Sequence, residues 1–104
     1  LLADAARSHS AEMVRRRYFG HRSPVSGELD DRLEKVGLRF VRAGETISVS
    51  SSAEFAHARL LDSPSHRRTL LDPAMTHLGV GAVAVFGGPG RPTYVITEDL
   101  AQLP

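Results

Sequence analysis

The 104-residue chain contains no cysteine. Disulfides, thiolate nucleophiles and cysteine-based zinc sites are therefore excluded. Compartment stays open, because an exported protein need not carry disulfides. No apolar run approaches the ~20 residues that a membrane span requires, and no signal-peptide pattern is present. Nor does charge of one sign dominate. Twelve Arg and one Lys stand against twelve acids, for a net charge of +1, a balance that offers no basic face to nucleic acid. The single basic run, Arg15-Arg16-Arg17, points in three directions on a helix and reads as solvated surface. HExxH, P-loop, GxGxxG and GxSxG patterns are all missing. Gly79-x-Gly81 lies inside a strand pattern and precedes no helix.

What remains is ordinary globular material. A hydrophobic fraction of 41% and a charged fraction of 24% suit one domain with a single modest core. The chain starts at Leu1 without a methionine, and the expectation is a piece trimmed from a longer precursor. Residues 2–18 hold no Gly or Pro, and Leu2, Ala5, Ala6, His9, Met13 and Tyr18 share one face at helical spacing. A loop follows over 19–27. "ELDDRLEKVG" (28–37) predicts a helix with acids in its first turn, Lys35 in its last and Gly37 just beyond it.

Leu38, Phe40 and Val41 suggest a short strand, and "AGET" (43–46) a turn. Ser51-x-x-Glu54 reads as a capping box opening a helix over 51–63. A short helix then runs from Ser63-Pro64 to near Asp72-Pro73. "LGVGAVAVF" and "PTYVITEDL" form two β-branched runs joined hairpin-fashion by "GGPGR". That order of elements predicts an α+β domain with a small antiparallel sheet covered by helices.

Five histidines carry the potential chemistry. His21, Glu45 and His66 each sit beside turn residues, namely Gly20 and Pro24, Gly44, and Pro64. Delivered from three loops, such side chains can build a site for a borderline metal such as zinc, although their spacing matches no local ligand motif. His66 falls at the third helical position after a Ser63 cap. The helix field there disfavours imidazolium and is expected to lower its pKa, leaving the neutral ring that ligates metal or accepts a hydrogen bond. Arg67 or Arg68 is expected to reach back to a carboxylate such as Glu45 or Asp62. His9, on the apolar face of the first helix, reads as a packed supporting histidine. His57 and His77 read as surface or packing residues.

Several short motifs in order resemble the CAP superfamily (cysteine-rich secretory protein, antigen 5 and pathogenesis-related 1 type), in its short bacterial SCP-like branch. They are Met13 ending a helix, Phe19-x-His21-x-Ser23-Pro24, Gly44-Glu45, Ser63-Pro64-x-His66-Arg67, and Gly79-Val80-Gly81. Residues 5–86 carry the likeness. The sequence departs from the family pattern at Thr46, where Asn is usual, and in lacking an aromatic segment before Ser63. It also lacks an aromatic-Gln run in its last strand, and the helix that usually precedes residue 1 is expected to be missing from this piece.

The resemblance implies a three-layer α-β-α sandwich with a small antiparallel sheet. It also implies a cleft holding His21, Glu45 and His66, with zinc or another divalent cation as a possible cofactor; from their helix positions His9 and Arg67 are expected to support that cleft. The expected function is a non-enzymatic extracellular or cell-envelope domain, monomeric, whose partner is a small ligand, a lipid or a protein and not nucleic acid. Two alternatives are a zinc-dependent hydrolase using the same cleft and a protein-interaction scaffold whose His/Glu cluster is purely structural.

Overall fold

Residues 1–86 and 90–104 are described by the computed structural model. Helix α1 (Leu2–Arg16) buries Leu2, Ala5, Ala6, His9 and Met13, the stripe expected from its periodicity, and Ser10 and Glu12 with them. It ends two residues early. Arg17 takes a left-handed conformation with φ 58 and breaks the run. Helix α2 (Leu29–Lys35) opens with the Glu28 amide donating to Asp31 at 2.9 Å. It closes on Gly37, whose φ of +82 lets its own amide bond Glu34 and the Leu38 amide bond Leu33. Only glycine enters that region without strain.

The next element corrects the sequence reading. Strand β1 is Arg42–Ser50, so "AGET" is not a turn but the first half of a strand, while Leu38 and Phe40 lie before it and pack on the core. Gly44 looked like turn punctuation; its role is close approach. A β-carbon there would stand 3.0 Å from the Thr69 methyl, so glycine lets a helix settle onto the strand. Helix α3 (Ala53–Leu61) is capped by Ser52, not Ser51, with Ser52 Oγ accepting from the Phe55 amide at 3.1 Å. Helix α4 (Pro64–Leu70) follows. Strands β2 (His77–Val85) and β3 (Thr93–Gln102) pair antiparallel as expected. Three residues of the "GGPGR" connection, 87–89, lie outside the described residues.

The sheet order is β1-β3-β2, which puts β3 in the centre. Gly79 and Gly81 turn toward α1, since a β-carbon on either would overlap α1 backbone. Register then assigns the faces. Gly79 pairs with Asp99, and Asp99 with Glu45, so Glu45 and Asp99 point to the α1 side. Thr46, Ser48, Ser50, Ile96 and Glu98 point the other way, by the two-residue period of a strand. Helices α1 and α2 cover the first face, around Leu2, Ala5, Leu33 and Ala101. Helices α3 and α4 cover the second, through Ala56 and Leu60. The result is the three-layer α-β-α sandwich.

Candidate functional site

Glu45 leaves β1 toward α1 and α2, and its side chain is only 2% exposed. Arg32 of α2, itself buried, meets it with both terminal nitrogens, at 2.8 Å to Oε2 and 2.9 Å to Oε1. This fork-on-fork geometry is the strongest form of a carboxylate bond. The His21 Nδ1–H donates to Oε1 at 2.9 Å, with its ring half exposed. Arg32 also donates to the His21 carbonyl at 2.8 Å, so one guanidinium fixes both the backbone and the side-chain partner of the histidine.

His9, fully buried, lies 3.8 Å from Glu45 and donates from Nε2 to the Gly20 carbonyl at 2.9 Å. That bond requires Nε2 to carry the hydrogen, which leaves Nδ1 bare and without a partner among the described residues. Burial, with help from Arg32, lowers the His9 pKa despite the pull of Glu45, so the ring is neutral.

Asp99 stands opposite Glu45 in register and is fully buried. Neither of its oxygens meets a donor among the described residues. Burial and the facing Glu45 charge push its pKa far above the usual carboxylate range, against the pull of Arg32. Burial would also raise Glu45, but a proton on Asp99, the Arg32 guanidinium and the His21 ring outweigh it and hold that carboxyl well below its ordinary value. Two facing carboxyls with one arginine settle as one acid and one carboxylate.

The loop carrying His21 is pinned from below. Buried Glu12 accepts from the hydroxyls of Ser23, of Ser26 at 3.0 Å and of Tyr18 at 3.2 Å. Ser23 Oγ in turn accepts from the amides of Val25 and Ser26 at 3.0 and 2.8 Å. Burial works to raise the Glu12 pKa, yet the three hydroxyls bring it below the ordinary value.

His66 is not part of this cluster. Its Nδ1 bonds the Ser63 hydroxyl at 3.0 Å, so Ser63 sits at the cap position of α4 without capping a backbone amide. The ring lines a separate cavity with Ser48 and Ser50, on the sheet face opposite Glu45. The sequence placed His66 beside Glu45 through the resemblance. The sidedness of β1 keeps them apart, since Glu45 and Ser48 differ by an odd number of positions. Arg67 donates to the Leu61 carbonyl at 3.3 Å and bonds neither Glu45 nor Asp62; the arginine that reaches Glu45 is Arg32. Among the described residues, no three His, Asp or Glu side chains stand close enough together to hold a metal ion.

Sequence reading missed Arg32, Asp99 and Glu12, each a charged residue in a segment whose acids and bases looked solvent-facing. His57, read there as a surface or packing residue, has a specific partner. From α3, the His57 Nδ1 bonds Glu98 at 2.8 Å while Thr46 bonds the other Glu98 oxygen at 2.9 Å. Thus Glu45 and Glu98 each orient one histidine through Nδ1, on opposite faces of the sheet.

Sandwich and cluster together define a CAP-type domain: helices α1 and α2 on one face, α3 and α4 on the other, and a His21–Glu45 pair at the first edge strand. The profile of the cysteine-rich secretory protein (CAP) family matches residues 2–97, and the chain belongs to that family. The chain is 35% identical over 83 residues to the uncharacterized protein YkwD of Bacillus subtilis, spanning 79% of this chain and 32% of YkwD. It is 41% identical over 80 residues to the uncharacterized membrane protein YlbC of the same organism, spanning 76% of this chain and 23% of YlbC. The chain therefore spans about a third or less of these curated relatives.

A solved extracellular protein from Bacillus anthracis that contains an SCP domain superposes with a TM-score of 0.81 at 36% identity, over 97% of this chain and 31% of that one. An outer surface protein of Borrelia burgdorferi shares the fold, with a TM-score of 0.70 at 16% identity, over 96% of this chain and 73% of that one. Among the described residues no helix is long and apolar enough to cross a membrane.

Proposed function

We propose that this chain is a non-enzymatic binding domain of an extracellular protein, in which the Glu45 cluster is a structural clamp and not a metal or catalytic centre. One observation carries the reading: the Arg32 guanidinium occupies both oxygens of Glu45. With the His21 ring on Oε1 as well, three of the four acceptor sites of this carboxylate are taken and its charge is already neutralised, which disfavours both a bound cation and service as a general base. Among the described residues the pair gains no third ligand: His9 gives its Nε2–H to the Gly20 carbonyl, and His66 lines a cavity on the other face. The donor set thus fits a zinc ion poorly. The clamp instead ties the 19–27 loop, α2 and β1 into one unit. The extracellular assignment draws on the SCP-domain protein of Bacillus anthracis, which is described as extracellular.

The test is calorimetric titration of zinc into chelator-stripped wild type, Glu45→Gln and His66→Ala at pH 7, with a thermal melt of each. We expect no one-to-one heat in any of the three, and a clear fall in melting temperature for Glu45→Gln. A stoichiometric site in wild type that Glu45→Gln abolishes would overturn the reading. So would chelator-sensitive turnover of a peptide or ester.

A further inference from the structure

A cavity of about 220 Å³ opens between β1 and the α3–α4 pair, on the sheet face away from Glu45. Its wall carries Ser48 and Ser50 of β1, Arg59 of α3, and Ser63 and His66 at the start of α4. Ala56 and Leu60 supply an apolar side, and no carboxylate among the described residues lines it. Ser50 is 8% exposed. Its hydroxyl and that of Ser48 are buried without any hydrogen-bond partner among the described residues.

Buried hydroxyls are ordinarily paired, and an unpaired one is costly enough to call for an explanation. Two of them on neighbouring same-face positions of one strand, both at the wall of one cavity, point to a group that fills it. His66 adds to this. Its Nδ1 and the Ser63 hydroxyl bond each other at 3.0 Å, which leaves Nε2 as the ring nitrogen open to a ligand, a donor in the tautomer where Ser63 gives its hydrogen to Nδ1. Arg59 lines the same cavity, and its guanidinium lies 5.8 Å from the centroid of the neighbouring Phe55 ring. The wall is therefore rich in donors, and Arg59 gives it a positive charge that no lining acid offsets.

We propose that this cavity binds a phosphate group, with Ser48, Ser50 and His66 donating to its oxygens and Arg59 neutralising its charge. A tetrahedral oxyanion accepts from several directions at once, which matches donors arriving from a strand and two helices. A phosphate monoester would direct its organic substituent along the apolar side formed by Ala56 and Leu60. The proposal deepens the reading of the chain as a binding domain by naming a ligand class, and it does not depend on the Glu45 clamp.

The experiment is an amide chemical-shift titration of the folded chain with inorganic phosphate and, in parallel, glycerol phosphate. It is repeated on Arg59→Ala, an exposed position, and on Ser50→Ala, a near-isosteric one; the spectra themselves report that each variant is folded. We expect saturable shifts confined to residues 48–50, 59–60 and 63–66, with a dissociation constant in the millimolar range or tighter. Each variant should weaken binding about tenfold, as expected for a lost hydrogen bond to a charged group. Tighter binding of glycerol phosphate would identify an ester site, and equal binding a site for the free ion. Shifts that fail to saturate, that map to other residues, or that persist unweakened in both variants would overturn the proposal. The zinc titration reads the Glu45 clamp separately, so either idea can fail without the other.

Discussion

Glu45 and Asp99 face each other across β1 and β3, both buried beneath α1, and at neutral pH only Glu45 is charged. The proton on Asp99 is a structural component. It lets two acids share a space served by one guanidinium.

A pH dependence follows. The folded chain keeps the Asp99 proton where an unfolded chain, with an ordinary value of 3.8, has lost it. The native state then binds more protons, and stability falls as pH rises. Glu45 and His9 act in the opposite sense, both being lowered, but only below their ordinary values of 4.5 and 6.5. Urea denaturation from pH 7 to 8.5 therefore isolates Asp99. We expect wild type to lose stability steadily over that window and Asp99→Asn, which has no proton to lose, to give a flatter line. Equal slopes would contradict the assignment.

Arg32→Met removes the partner of a buried carboxylate while keeping much of the side-chain volume. Leaving such a charge alone costs about 3–5 kcal/mol, a large share of a small domain's stability. Adding Glu45→Gln should return part of that loss, so the double variant is less damaged than the sum of the two. Denaturant midpoints measure all three. A cost below about 1 kcal/mol for Arg32→Met, the range of exposed pairs, would show that the clamp is ornamental.

Gly81→Ala drives a methyl into the Arg7 backbone of α1. Neither a rotamer nor a flexible tip can relieve a clash with main chain, so the helix must lift from β2. The expected cost is about 1–3 kcal/mol or more, read from the urea midpoint at constant slope.

Glu12→Ala leaves Ser23, Ser26 and Tyr18 without their common acceptor. Ser23 and Gly27 bond each other's backbone at 2.8 and 3.2 Å, and those amides should exchange with solvent at least about tenfold faster, the equivalent of one hydrogen bond. The α1 amides should keep their protection. Uniform acceleration across the chain would instead mean global destabilisation.

The helices and the final hairpin were legible because periodicity is a local property. The α1 stripe and the Gly37 stop each sit within a few positions of what they specify. Strand β1 was misread because a glycine signals freedom in sequence, whereas Gly44 answers to the Thr69 methyl of a distant helix. Arg32 was illegible for a similar reason: in "DDRLEK" it is one charge among many, and only the tertiary fold reveals which one turns inward. Family motifs supplied His21 and Glu45 as neighbours. They could not reveal that β1 parity sends His66 to the opposite layer, nor that Asp99 would need to stay protonated.

Glu98 and Asp99 are consecutive on the central strand, both buried, and separated by one peptide bond. Glu98 answers to Thr46 and His57 on one side, and Asp99 to Glu45 on the other. A one-residue slip of β3 would exchange them, setting the longer acid against Glu45 and pulling the shorter one away from His57. Neighbouring hydrophobic residues such as Val95 and Ile96 would tolerate that exchange far better, since either can pack in either layer. The adjacent acids thus act as a key cut differently on its two edges, admitting the strand to the sheet in one alignment and penalising its near neighbours during assembly.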